Sequence, residues 1–318
     1  MRSRATVTRP RRGLRVRLAA AVAATAVAAT ALAGCGADKA PEGGPVADDS
    51  GVTTVRLGVT DAGKKQWPVL QEKAAAENIN LELVPYNDYV TPNRALAEGA
   101  IDANQYQHLL FLADNQLGTG QELVPIASTE IFPLPLYWKG HDSTDGIDGE
   151  TVAIPNDPTN GGRAIRVLEQ AGLVTLRDGA PISPTPADIV EDTSRVSVNQ
   201  VDPTQTAVVW GEGTPAVVNQ NFIDRAGIDP ATAIAADDPH DPATEPYINV
   251  WVTRAGDEHN AAINRLAELW HSPEVQEAVA EDTGYTSVSV KKTPEELTAI
   301  LDRLIDDLRA ENDAKAAN

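Results

Sequence analysis

The chain has a single cysteine, Cys35, and its position limits what the rest can fold into. It follows residues 18–33, LAAAVAATAVAATALA, which carry no charge; those follow seven arginines and no acid in residues 1–17. A basic stretch, an apolar stretch and then small residues form the layout of a secretory signal. The apolar run is shorter than the ~20 residues a membrane-crossing helix needs. Residues 1–34 are therefore expected to be a removable leader outside the fold. With one cysteine no disulfide can form within the chain, so the fold must hold by core packing alone.

The run LAGC, Leu32–Cys35, resembles a bacterial lipobox, in which the cysteine is acylated through its sulfur and becomes the first residue. The resemblance implies a lipid anchor on the exported face of the cell membrane. Residues 36–51, GADKAPEGGPVADDSG, have no periodicity, so 35–51 reads as a lipidated flexible tether. Loss of the seven leader arginines takes the net charge from −20 to about −27. Such a chain repels nucleic acid and anionic surfaces, and no nucleic-acid partner is expected.

About 265 residues remain, enough for two domains. Alternation or β-branched content predicts strands at 55–60, 81–86, 123–127, 131–138, 151–154, 196–201, 216–219 and 247–253. Helical spacing and caps predict helices at 67–76, 91–98, 163–171, 258–271, 273–281 and 294–311. Thr91 is expected to cap the second, with Pro92 in its first position. The alternation argues an α/β fold with mainly parallel sheets. Residues 229–246, DPATAIAADDPHDPATEP, read as a long surface loop or a domain crossing. The expected layout is lobe 1 at 52–139 plus 247–311, lobe 2 at 140–246 and a tail at 312–318. Two crossings make a hinge, and a cleft between α/β lobes suits a small ligand.

IPNDPTNGGRAI, residues 154–165, places a polar, stiff turn between a strand and a helix. Pro155 and Pro158 fix φ, and Thr159 or Asn160 is expected to cap the helix. Gly161 and Gly162 are expected to let a ligand approach the backbone. Free N–H groups at a helix start attract an anion, and the Arg163 guanidinium matches a carboxylate. On residue types alone, a well-capped loop with a solvated arginine fits equally.

Three runs together separate these readings: NDYVTPN at Asn87–Asn93, IDANQYQH at Ile101–His108 and PNDPTNGGR at Pro155–Arg163. With AGLVTLRDG at 171–179, they closely resemble the methionine-binding lipoproteins of the NlpA/MetQ family, over roughly residues 53–290. The resemblance implies a two-lobed periplasmic-binding-protein-like fold (type II), with mixed sheets flanked by helices and a ligand cleft between the lobes. It implies a solute-binding component of an ABC importer that delivers L-methionine to a permease and its ATPase, without cofactor, metal or catalysis. Carried over, Arg163 pairs with the ligand carboxylate and Asn160 bonds at the same end. Asn219, in AVVNQNF, holds the amino and carboxylate groups. Tyr89, Tyr106 and His108 line the side-chain pocket, joined by Phe132. Tyr106 and His108 are two apart, so an extended chain sets them on one face, and aromatic walls suit a thioether. VDPTQTAVVWGEGTPAVVN, 201–219, and the two prolines of IFPLPLYWKG, 131–140, depart from the family pattern.

Other functions stay open at this level. A methionine-containing dipeptide or another apolar amino acid would suit the same fold. A surface adhesin or structural lipoprotein would leave the cleft unused. An exported enzyme could recruit Asp157 and His108, but the sequence holds no HExxH, GxSxG, P-loop or cysteine nucleophile.

Overall fold

A computed structural model describes residues 44–316. The leader, Cys35 and residues 36–43 of the expected tether lie outside the described residues. Residues 44–51 belong to the folded body. The Pro45 carbonyl accepts from Asn260 Nδ2 at 2.9 Å, Ala47 bridges Thr53, and the Asp48 carboxylate accepts the Ser50 and Val52 N–H groups.

In chain order the first half runs β1 (Thr53–Val59), α1 (Gln66–Ala75), β2 (Ile79–Pro85), α2 (Thr91–Ala97), β3 (Ala103–His108), α3 (Leu109–Thr119), β4 (Leu123–Ser128) and β5 (Glu130–Ile131). The second set is β6 (Pro135–Tyr137), β7 (Thr151–Pro155), α4 (Pro158–Gln170), β8 (Ser197–Val201), α5 (Pro203–Gly211), β9 (Ala216–Val217), α6 (Gln220–Ile223) and β10 (Ala235–Ala236). The chain then adds β11 (Asn249–Arg254), α7 (Ala261–Trp270), α8 (Pro273–Asp282), β12 (Val288–Ser289) and α9 (Pro294–Ala316).

Two five-stranded sheets result, ordered β2-β1-β3-β11-β4 and β10-β6-β9-β7-β8, with β12 paired to β5. Both large sheets are mixed, as the family resemblance implies, which corrects the reading of mainly parallel sheets from the alternation of elements alone. Pairing is parallel where a helix carries the chain back over the sheet: β1 with β2 and β3, β7 with β8 and β9. It is antiparallel where a strand arrives from the other part of the chain. β11 runs against β3 and β4, and β6 against β9 and β10. The predicted strand at 131–138 is two strands in different sheets, because Pro133 supplies no ladder N–H.

Each face of the first sheet packs on helices. Val55, Leu57 and Val59 are fully buried, and Trp67, Trp251 and Trp270 fill the side under α1, α7 and α8. The Trp270 ring lies 5.2 Å from Trp67 and 6.1 Å from Trp251, tilted and edge-on, the arrangement that aromatic quadrupoles favour. On the other side α9 presents Leu297, Ile300, Leu301, Leu304 and Leu308 to α3. That spacing makes one apolar stripe. The helix continues to Ala316, so 312–316 extend it instead of forming a tail.

Three helices, α3, α5 and the single turn α6, have no counterpart in the sequence reading. α3 starts where β3 stops, with no polar turn between them, and its cap is the His108 side chain. α5 is capped by Asp202, inside the run that departs from the family pattern. In α2, Thr91 is the first helical residue and not the cap; the Asp88 carboxylate accepts its N–H at 2.7 Å. Residues 229–246 are not a surface loop throughout: β10 pairs with β6, and Asp237 and Thr244 are buried.

Candidate ligand-binding site

The turn between β7 and α4 is built around Asp157. Its Oδ1 accepts the Asn160 backbone N–H at 2.9 Å, Asn160 Nδ2 at 3.0 Å and the Thr159 hydroxyl at 3.1 Å. Asp157 is therefore the cap, with Pro158 in the first position, and Thr159 and Asn160 are already helical. This corrects the expected cap. It also takes up one of the N–H groups expected to attract an anion, since a carboxylate already occupies the Asn160 N–H. Asp at these positions wins because a charged oxygen both satisfies the orphan N–H and complements the helix dipole.

The two glycines serve packing, not ligand approach. A Cβ on Gly161 would stand 2.6 Å from the Pro155 carbonyl oxygen, and one on Gly162 would stand 2.7 Å from the Ser183 Cα. Both contacts are with the protein's own backbone, so these residues let α4 lie close on β7 and on the Ser183 loop.

Arg163 follows one turn into α4 with its side chain 5% exposed. Nε donates to Asp237 Oδ2 at 2.7 Å and Nη2 to the Phe132 carbonyl at 2.7 Å. The guanidinium carbon sits 4.1 Å from the centre of the Tyr247 ring. A buried guanidinium needs such partners, because an unpaired charge in the interior is expensive.

Arg163 is one wall of a cavity of about 40 Å³, and the structure brings the other six expected residues to the same cavity: Asn160, Asn219, Tyr89, Tyr106, His108 and Phe132. Asn219 Nδ2 donates to Asn160 Oδ1 at 2.8 Å, while Asn219 Oδ1 is buried without a partner. His108 accepts the Phe111 N–H on Nδ1 at 3.1 Å. The ring proton is thereby assigned to Nε2, which faces Asn160 Oδ1 at 3.4 Å. Burial, with the nearby Arg163 charge, pushes His108 down to about 3, so it is a neutral donor at the cavity wall.

The opposite end is aromatic. The Tyr106 hydroxyl donates to the Tyr89 carbonyl at 2.9 Å, and the Tyr89 hydroxyl to Asn221 Oδ1 at 2.8 Å. Phe111 stands edge-on to both tyrosines at 6.1 Å, and Phe222 is 5.5 Å from Tyr89. Burial raises both tyrosine hydroxyls well above their usual range, so they stay protonated. Phe111, Asn221 and Asn249 also line the cavity and were missed in the sequence. Asn221 stands two residues beyond Asn219 and was legible as a neighbour; Phe111 hides in the apolar run HLLFL. Among the described residues no group of three or more His, Cys, Asp or Glu is placed to hold a metal ion.

The model of the NlpA lipoprotein family matches residues 55–291. The chain belongs to the NlpA lipoprotein family. It is 34% identical over 253 residues to the D-methionine-binding lipoprotein MetQ of Salmonella typhi, covering 78% of this chain and 88% of the relative. Two solved structures of similar chains share the fold. One is the substrate-binding protein of a methionine transporter from Streptococcus pneumoniae, at TM-score 0.69 and 28% identity, covering 74% of this chain and 95% of that one. The other is a nutrient-binding protein from Burkholderia cenocepacia bound to methionine, at TM-score 0.68 and 31% identity, covering 74% and 99%. The mixed sheets flanked by helices are thus the architecture of periplasmic substrate-binding proteins. No helix among the described residues of this family member is long and apolar enough to cross a membrane.

Proposed function

We propose that this chain is the substrate-binding component of an ABC importer, anchored through lipid on Cys35, and that it carries free methionine to a permease driven by an ATPase. One observation carries the reading. Asn219 Oδ1 is a buried acceptor without a donor, on the same cavity as the Arg163 guanidinium. A donor-poor acceptor beside a cation is complementary to the ammonium and carboxylate of an amino acid. Arg163 Nη1, the guanidinium nitrogen not committed to Asp237 or Phe132, takes the carboxylate. Asn160 and Asn219 frame the polar end, and the His108 Nε2–H that faces Asn160 Oδ1 orients that amide from the side. Tyr89, Tyr106 and Phe111 face the thioether, whose sulfur gains about 0.3–1.5 kcal/mol against an aromatic edge.

The lobes of this reading follow the sheets. Lobe 1 holds the β1–β4 and β11 sheet, and lobe 2 the β6–β10 sheet, with the chain crossing at 132–134 and again at 237–248. The first crossing comes earlier than the division at 139/140, because β6 already pairs in the second sheet. A cavity of about 40 Å³ is far below the several hundred that usually hold a small molecule, so the ligand enters by parting of the lobes.

The test uses an unusual property of the chain: Met1, inside the leader, is its only methionine. Protein lacking the leader and Cys35 is produced in cells fed labelled methionine and then denatured, and the released small molecules are weighed. Stoichiometric labelled methionine is expected, with Arg163→Ala releasing none. Calorimetry against both enantiomers and glycyl-methionine then fixes stereochemistry and peptide tolerance. Release of a different molecule replaces the substrate, and protein that ignores every amino acid after refolding sinks the transport reading.

A further inference from the structure

We infer that Asp237, which does not touch the cavity, determines the net charge of the ligand that the cavity accepts, selecting a zwitterion over an anion. The inference rests on the amino-acid reading above and names the residue behind its selectivity. Arg163 is the one charged side chain among the residues lining the cavity, and His108 is neutral there. A lone buried guanidinium would favour any carboxylate, with or without an amino group. Asp237 changes this. Its Oδ2 takes Arg163 Nε at 2.7 Å, both side chains are 5% exposed, and the charge that Arg163 brings is cancelled from behind. With that pair in place, a zwitterion leaves the buried site neutral. A ligand without its ammonium leaves one unbalanced negative charge and an unanswered Asn219 Oδ1.

Geometry ties the same carboxylate to the crossing segment. Asp237 Oδ1 accepts the Leu134 N–H at 2.7 Å, and Arg163 Nη2 donates to the Phe132 carbonyl two residues earlier. Asp237 also lines a separate cavity of about 200 Å³ on the far side of Arg163, with Arg166, Thr244 and Tyr247. It is thus a positioning residue. It takes the Nε side of the guanidinium while the Phe132 carbonyl takes one N–H of Nη2, which leaves both N–H groups of Nη1 and the second of Nη2 for the ligand.

The experiment compares methionine, N-acetylmethionine and methioninamide by calorimetry on the wild-type protein, Asp237→Asn and Asp237→Glu. Wild type is expected to bind methionine far more tightly than N-acetylmethionine. Methioninamide, a cation in a site that the Arg163–Asp237 pair leaves neutral, is also expected to bind more weakly than methionine. In Asp237→Asn the preference for methionine over N-acetylmethionine falls by about tenfold or more, the scale of one buried charge left unpaired. Asp237→Glu, which keeps the charge, retains the preference even if both ligands bind more weakly. An unchanged ratio in Asp237→Asn overturns the inference, as does equal loss of it in both variants. Should Asp237→Asn lack a cooperative melt, the wild-type order decides: N-acetylmethionine bound as tightly as methionine overturns it. Wild type that binds none of the three overturns the amino-acid reading and this one with it, whereas methionine binding with the wrong ratios overturns this one alone.

Discussion

His108 Nδ1 accepts the backbone N–H of Phe111 at 3.1 Å, so the residue that ends β3 is also the cap of α3. The bond needs an unprotonated Nδ1, and burial with Arg163 nearby holds the ring at about 3, against an ordinary 6.5. Because the folded value is lower, the unfolded chain binds the proton more readily. The contribution is complete above about pH 6.5 and drains away as pH falls toward 3. Acid melts of the wild type are expected to lose stability on the order of a few kcal/mol over that window. His108→Asn, which keeps a side-chain acceptor but does not titrate, should flatten that limb. Parallel pH curves for the two proteins would refute the assignment.

Glu130 pulls the other way. It is 1% exposed, accepts Trp270 Nε1 at 3.0 Å and Gln276 Nε2 at 2.8 Å on Oε1, and is raised to about 7 by burial. Here the folded state holds the proton more tightly, so stability is complete below about 4.5 and declines as pH rises through 7. Glu130→Gln keeps an acceptor for both donors and cannot ionise. Its melting temperature is expected to exceed that of wild type above pH 7 and to match it near pH 5. A lower melting temperature for the variant at alkaline pH would contradict this.

Asn219→Ala removes the partnerless Oδ1 and the donor to Asn160. Loss of one ligand hydrogen bond of about 1–3 kcal/mol predicts binding weaker by about 10- to 100-fold. The melting temperature of the unliganded protein should move by only a few degrees. Titration calorimetry and a melt on the same sample separate the two effects, and unaltered affinity would remove Asn219 from the site.

Gly162→Ala should act on the fold. A new Cβ 2.7 Å from the Ser183 backbone overpacks the α4 contact, at a cost of about 1–3 kcal/mol. Denaturant melts should show the full loss, while the folded fraction retains its affinity. Weaker binding at wild-type stability would restore the glycine to ligand approach.

Seven of the residues that line the cavity were expected from the family resemblance, and five of them lie in the three continuous runs that carry it. Tyr106 and His108 share a strand, and Asn160 and Arg163 share a helix turn. What escaped lies in long-range pairing. Asp237 answers Arg163 across 74 residues and sits among acids and prolines that look solvated. The cap of α4 was misassigned because Asp157, Thr159 and Asn160 are all competent cap residues, and only the fold shows which begins the helix. Mixed sheets followed from the family resemblance but not from the alternation of elements, since the apolar pattern in 247–253 carries no sign of strand direction.

β11 carries a consequence for the order of folding. It lies between β3 and β4, and β4 has no other strand partner in its sheet. While residues 129–248 are being added, the first sheet stays split, with one edge of β3 and both edges of β4 unanswered. Such a topology closes slowly, because loop entropy is spent before the distant strand repays it. A chain that ends before residue 249 has no finished first sheet, and its unanswered strand edges are the ones open to wrong pairing.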